Sequence, residues 1–105
     1  PPILANGFTG SLELVRDFFA WDEDGHAVLS ARDESTLVPG LFVVGPSVRH
    51  RKAIFCYIYK FRQRFAIVAE AIGERLGLDL RVLEVYEDNN MLLEDLTCCD
   101  AECAC

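Results

Sequence analysis

No apolar run in this chain of 105 residues is long enough to cross a bilayer; the densest, Ala53 to Ile58, falls far short of the ~20 residues a spanning helix needs. No charged-then-apolar leader is visible, so neither secretion nor a membrane role is expected. Unpaired thiols then fit a reducing cytoplasm; in an exported protein the same cysteines would read as two disulfides. No Lys or Arg follows Arg81, whereas Glu84, Glu87, Asp88, Glu94, Asp95, Asp100 and Glu102 all do, so the net charge of −7 resides in the C-terminal quarter. A segment of that kind repels nucleic acid. The bases between Arg49 and Arg64 are interrupted by aromatics and aliphatics, and no nucleic-acid partner is expected. There is no internal repeat. The loop G-x-G-x-x-G, whose glycines let backbone N–H groups approach a pyrophosphate, is missing as well. So is an initiator Met: the chain opens on Pro1-Pro2-Ile3, and a processed subunit or a fragment of something larger is expected.

What is there begins with a composition of 51% hydrophobic residues, which fits a globular segment and argues against disorder. A chain this short allows one modest domain, marginally stable unless it docks on a partner. Ile3-Leu4-Ala5 is a short strand candidate. Phe8 to Phe19 has near-helical apolar spacing, weakened by Gly10. Asp22-Glu23-Asp24-Gly25 is an acidic turn with the Asp-Gly pair of hairpins, and His26 to Ala31 reads as the strand after it. Asp33 to Thr36 is polar and turn-like. Pro39-Gly40 launches Leu41-Phe42-Val43-Val44, the clearest strand, whose continuous apolar run suits burial on both faces.

A long helix is expected from about Arg51 to Leu76, closed by Gly77. Ile54, Ile58, Phe61, Phe65, Val68, Ile72 and Leu76 form its apolar stripe, with Arg62, Arg64, Glu70 and Glu74 off it. Near its start almost every face is apolar, and burying it calls for another domain or subunit. Residues 78–86 alternate and read as an edge strand or extended arm. Glu87 to Asn90 reads as a turn, and Met91 to Leu96 as one or two helical turns capped by Asn90.

Four of the five cysteines crowd into the end: Cys98, Cys99, Cys103 and Cys105. Thiols packed that densely point to redox exchange or soft-metal capture rather than core packing. The spacing C-C-x-x-x-C-x-C is neither the C-x-x-C of a dithiol site nor a pair of zinc knuckles. Adjacent cysteines rarely bridge each other without strain. Asp95, Asp100 and Glu102 disfavour the thiolate, so reactivity is expected to need a nearby cation. The basic run Arg49-His50-Arg51-Lys52 supplies one, and the tail is expected to fold back onto it or onto a partner's copy. Those bases oppose a helix dipole if they sit at an N-terminus, which favours anion contact, with His50 a candidate base. His26 reads as a surface residue, Trp21 as an anchor and Cys56 as a buried, inert thiol. Tyr57, Tyr59, Phe61 and Phe65 read as core first and as a ring-stacking platform second.

Three segments, in order, carry a family likeness. Ser35-Thr36-Leu37-Val38-Pro39-Gly40-Leu41-Phe42-Val43-Val44-Gly45 resembles the late FAD-domain strand of thioredoxin reductase-like flavoproteins, enzymes with two dinucleotide-binding domains. Ile3-Leu4-Ala5-Asn6-Gly7-Phe8 resembles the segment that returns their chain from the NAD(P)H domain. Arg62-Gln63 followed by Ala66 and Ala69 resembles the start of their final helix, which faces the flavin. The resemblance implies an α/β fold: the C-terminal part of an FAD-binding Rossmann-like domain, short strands plus one long helix, incomplete alone. On this reading residues 1–77 belong to the FAD domain, 78–97 form an acidic arm and 98–105 a cysteine-rich tail. It implies FAD contact at Gly45, Pro46, Ser47, Arg62 and Gln63, with NAD(P)H as reductant. It also implies a companion polypeptide carrying the glycine loop and NAD(P)H domain, in a hetero- or homo-oligomer.

The pattern departs in places. Pro46 stands where the family has an Asp for the ribityl chain, so that contact is lost or passes to Ser47. Asn6 replaces a Thr, and a longer, more basic connection separates Gly45 from Arg62. Cys98-Cys99 resembles in type the C-terminal pair of mercuric reductases. High-molecular-weight thioredoxin reductases likewise carry a redox pair on a mobile tail. The implied activity is oxidoreduction of a disulfide, a thiol or a thiol-bound metal, with Cys98, Cys99, Cys103 and Cys105 as catalytic relay or metal ligands. The alternative is a non-catalytic small subunit or adaptor holding a soft metal through the same thiols.

Overall fold

The computed structural model describes residues 10–50 and 61–96. The strand expected at Ile3–Ala5, the first half of the long helix and the four tail cysteines lie outside the described residues.

Among the described residues the fold is a small α/β arrangement. Ser11–Phe18 winds as a 3-10 helix rather than the α-helix the spacing predicts. Gly10 caps it without a side-chain bond, and Val15 breaks it at φ −124° and ψ 26°. A β-branched residue behind an uncapped start gives little to hold a longer helix. Strand β1 (Ala20–Trp21) pairs antiparallel with β2 (Ala27–Val28), Ala20 opposite Val28 and Trp21 opposite Ala27. The acidic turn behaves as expected. One Asp22 oxygen accepts from the N–H groups of Asp24 (3.0 Å) and His26 (2.8 Å), and Gly25 takes the left-handed conformation that closes the hairpin.

Leu41–Val44 does not form a strand. It makes one antiparallel bridge, Phe42 to Glu34, and Leu29 bridges Ser35 in the same isolated way. Turns crowd both sides: the N–H of Asp33 bonds Ser30, that of Leu41 bonds Val38 and that of Val48 bonds Gly45. Val43 is buried while Val44 is half exposed, so the run is covered on one face of the two expected.

Helix α1 spans Arg64–Leu76 and stops at Gly77 as expected. The Gly77 N–H bonds Glu74 O (3.1 Å) and the Leu78 N–H bonds Gly73 O (2.9 Å), the paired bonds of a glycine-closed end. Its orientation is a correction to the predicted stripe. Phe65, Ile72 and Leu76 face out, 44%, 40% and 66% exposed. Arg64, Ala66, Ile67, Val68, Ala71 and Gly73 face in. Two contacts turn the helix. Arg64 is drawn inward by a buried carboxylate, and Gly73 backs onto Leu80 so closely that a Cβ there would lie 2.5 Å from Leu80 Cδ2.

After Gly77, residues 78–80 carry no regular structure, and the expected edge strand gives way to a 3-10 turn, Arg81–Leu83, leading into α2 (Glu84–Asp88). Asp79 starts it by accepting from the Arg81 N–H (3.1 Å) and pairing with the Arg81 guanidinium. Asn90, at φ 53°, ends α2 rather than capping a new helix, and residues 91–96 run without regular structure. Leu93 and Leu96 pack against the core of Phe19, Ala27, Val43 and Val48. Among the described residues no helix is long and apolar enough to cross a membrane.

Candidate functional site

The hairpin and the Gly45 turn together enclose an open cleft of about 250 Å³. Gly45, buried at φ 93°, lets the chain reverse so that Pro46 and Ser47 form one wall with Arg49. Trp21, His26 and Ala27 come from the hairpin, and Gly10, Leu12 and Glu13 from the 3-10 segment. Trp21 is held in place twice: its indole N–H donates to Arg16 O (2.9 Å), and the Arg16 guanidinium lies 4.6 Å from the ring centroid. His26 leans toward Asp22, its Nδ1 3.6 Å from Oδ2. The Asp22 carboxyl is held below its ordinary range, first by the His26 N–H it accepts. Among the described residues neither the Ser47 hydroxyl nor the Arg49 guanidinium has a partner. The cleft thus offers a cation, a hydroxyl, an imidazole and an aromatic ring. That set suits anionic oxygens beside a planar group. Its volume falls below the roughly 300–1,000 Å³ of a complete small-molecule pocket.

A buried ionic cluster lies between the hairpin lobe and α1. Asp33 and Arg64 are both 0% exposed. Arg64 grips Asp33 through Nε (2.9 Å to Oδ2) and Nη2 (2.8 Å to Oδ1), the fork geometry that makes such pairs strong. Its remaining donors reach Ala31 O (2.7 Å) and Leu93 O (2.5 Å). His50 Nε2 lies 2.5 Å from the same Asp33 Oδ1, and the Asp33 carbonyl accepts from the Val43 N–H (2.9 Å). Asp33 holds a left-handed φ of 63°, a conformation Asp tolerates better than most residues. Burying two charges stabilises little by itself, but each satisfies the other and fixes what surrounds it. Around its rim Glu34 pairs with Arg75 (2.5 Å), and Arg32 pairs with Glu74 and with Glu70 (3.3 Å).

The residues expected to touch a cofactor do not converge. Gly45, Pro46 and Ser47 belong to the cleft. Arg62 lines a separate apolar hollow of about 310 Å³ with Phe65, Ala66, Ala69, Leu83, Tyr86 and Met91. Gln63 is buried, its Nε2 donating to Asn90 O (2.6 Å), so it is committed to the chain itself. Of the basic run, Arg49 faces the cleft and His50 faces Asp33, while Arg51 and Lys52 lie outside the described residues, as do Tyr57, Tyr59, Cys56, Cys98, Cys99, Cys103 and Cys105. The Phe61 and Phe65 rings meet with centroids 6.4 Å apart, tilted by 45° to each other.

Asp33 and Arg64 had no place among the expected site residues. Asp33 read as one polar turn residue among several and Arg64 as one of the bases off the stripe. No spacing rule links positions so far apart in sequence. Asp22, Asp24 and His26 also place one ligand atom each within 4.8 Å of one another, but they are solvent-exposed and Asp22 is already engaged by backbone N–H groups. No family model matches the chain.

Proposed function

We propose that this chain is the C-terminal portion of an FAD-dependent NAD(P)H oxidoreductase of the thioredoxin reductase-like type, and that a companion polypeptide completes its nucleotide pocket. The carrying observation is the cleft, which gathers Pro46 and Ser47, at the end of the resembling segment, with Arg49, His26 and Trp21. The Arg49 guanidinium and Ser47 hydroxyl, unpartnered among the described residues, suit the phosphate or ribityl oxygens of a flavin nucleotide. They suit part of it only, since the cleft is small and the chain has no glycine loop. When bound, the flavin supplies two-electron transfer from the nicotinamide to an acceptor.

The outward stripe of Phe65, Ile72 and Leu76, continued by Leu78, Val82, Val85 and Tyr86, gives the companion an apolar face to cover. The tail thiols Cys98, Cys99, Cys103 and Cys105 serve as relay. A tail disulfide takes two electrons and two protons to become two thiols, which then reduce an acceptor disulfide by exchange. A thiol-bound soft metal is the other acceptor class.

A flavin absorbance titration tests the incomplete pocket. The 105-residue chain alone should bind FAD weakly or not at all, while its complex with the companion should carry a flavin band that NAD(P)H bleaches. Tight stoichiometric FAD binding by this chain alone overturns the proposal. Stoichiometric metal without flavin in the assembled complex replaces it with the metal-holding adaptor.

A further inference from the structure

The four residues after Pro46 alternate in what they face. Ser47 and Arg49 line the cleft. Val48 is fully buried in the core with Phe19, Ala27 and Val43, and the His50 imidazole, 14% exposed, is turned onto Asp33. Two-residue alternation is the habit of extended backbone, so whatever holds the inner pair also aims the outer pair, and a slip of one residue would exchange them. Val48 is held by apolar packing and by its N–H on Gly45 O (3.2 Å). His50 is held by one directed bond, its Nε2 2.5 Å from Asp33 Oδ1. A carboxylate only accepts, so the imidazole donates through Nε2–H. The acceptor is itself fixed: Arg64 forks onto both Asp33 oxygens, and the Asp33 carbonyl accepts from the Val43 N–H.

We propose that His50 is a positioning residue: anchored on Asp33, it fixes the direction of Arg49 and so builds a phosphate-binding arm into the cleft. Three observations carry this. Arg64 already pairs with the Asp33 charge, so the His50 bond is not needed to neutralise it. His50 is absent from the cleft wall, so it touches nothing held there and is not the base that its place in the basic run suggested. Of the charged side chains in that wall, Glu13 is paired with Arg16 (3.0 Å) and His26 with Asp22 (3.6 Å). Arg49 is thereby left, among the described residues, as the one charge of the wall without a partner. A guanidinium in the same wall as a free Ser47 hydroxyl matches the oxygens of a phosphate group. His50 acts on that group only through Arg49.

That the bound phosphate belongs to a flavin nucleotide rests on the proposed function; the aiming of Arg49 does not. The probe is therefore inorganic phosphate, titrated into the 105-residue chain and followed by the NMR shifts of the Ser47 and Arg49 amides. In the unmodified chain both should move, and the His50 ring should carry its proton on Nε2. His50→Gln places an amide N–H where Nε2 lies and should keep the phosphate affinity. His50→Asn is too short to reach Asp33 and should weaken it about tenfold, the worth of roughly one hydrogen bond to a charged group. Rescue by the longer amide, on chains that are fully folded, is a readout that a merely structural role for His50 would not move. Equal affinity in the two variants, whether both kept or both lost, overturns the proposal. So do Ser47 and Arg49 amides that phosphate leaves unmoved in the unmodified chain, or an Nε2 without its proton at neutral pH. The tautomer needs no variant, so it decides even if His50→Asn fails to fold. If the affinities split as expected but Arg49→Gln leaves FAD binding by the complex with the companion unchanged, the flavin reading of the cleft fails alone.

Discussion

Asp33 carries a left-handed backbone and a fully buried charge at once, and each needs the other's surroundings. The turn aims its carboxylate inward, where Arg64 forks onto it and His50 adds a third contact. Asp33→Asn keeps a side chain that tolerates the left-handed region and deletes only the charge. Arg64 is then left buried and unpaired, and removing one partner of such a pair costs about 3–5 kcal/mol. That is a large share of the roughly 5–15 kcal/mol a domain has in total. Urea unfolding followed by Trp21 fluorescence should show the midpoint collapse. A loss below about 1 kcal/mol would mean that the pair contributes no more than an exposed one does. None of this was legible beforehand. Asp33 sits among turn-forming residues and Arg64 among bases assigned to a wet face, and only the tertiary fold brings residues 33, 50 and 64 together.

The elements divide by how local their causes are. The Asp22–Gly25 turn and the Gly77 stop were readable because each is decided within a few residues by a side-chain acceptor or a left-handed glycine. The Leu41–Val44 strand and the rotation of α1 were not, because pairing partners and buried faces are set across the fold. Salt links hold α1 against the hairpin lobe: Glu34 with Arg75, and Glu74 with Arg32. Both carboxyls lie below their ordinary 4.5, Glu34 mainly through the Arg75 guanidinium and Glu74 mainly through that of Arg32. Depressed acids contribute their stabilisation fully above pH 4.5 and lose it as pH falls through the lower folded values. Thermal unfolding should therefore be flat from neutral pH down to about 4.5 and fall below it, with Glu34→Gln flattening part of the drop. An acid limb unchanged by Glu34→Gln would remove that pair from the account.

At the scale of the whole molecule, several large apolar side chains stay exposed although Phe19, Ile67, Val43 and Val48 are buried. α1 turns Ala66, Ala71 and Gly73 inward, while Phe65, Leu76, Leu78, Val82 and Val85 are 44–69% exposed. Burying a side chain of that size stabilises by about 1.5–3 kcal/mol, and on the proposed reading the exposed stripe is reserved for the companion polypeptide. The small size of the chain and the all-round apolar start of the expected helix called for a partner, and on the proposed reading the outward stripe is the face it covers. Val82→Glu with Val85→Glu tests the reservation, because side chains this exposed should cost the free chain less than about 0.5 kcal/mol when changed. The double variant should keep its urea midpoint, lose binding of an apolar-surface dye, and fail to copurify with the companion that carries the glycine loop. An unchanged midpoint with undiminished copurification would place the companion on some other face and leave the exposed stripe unaccounted for.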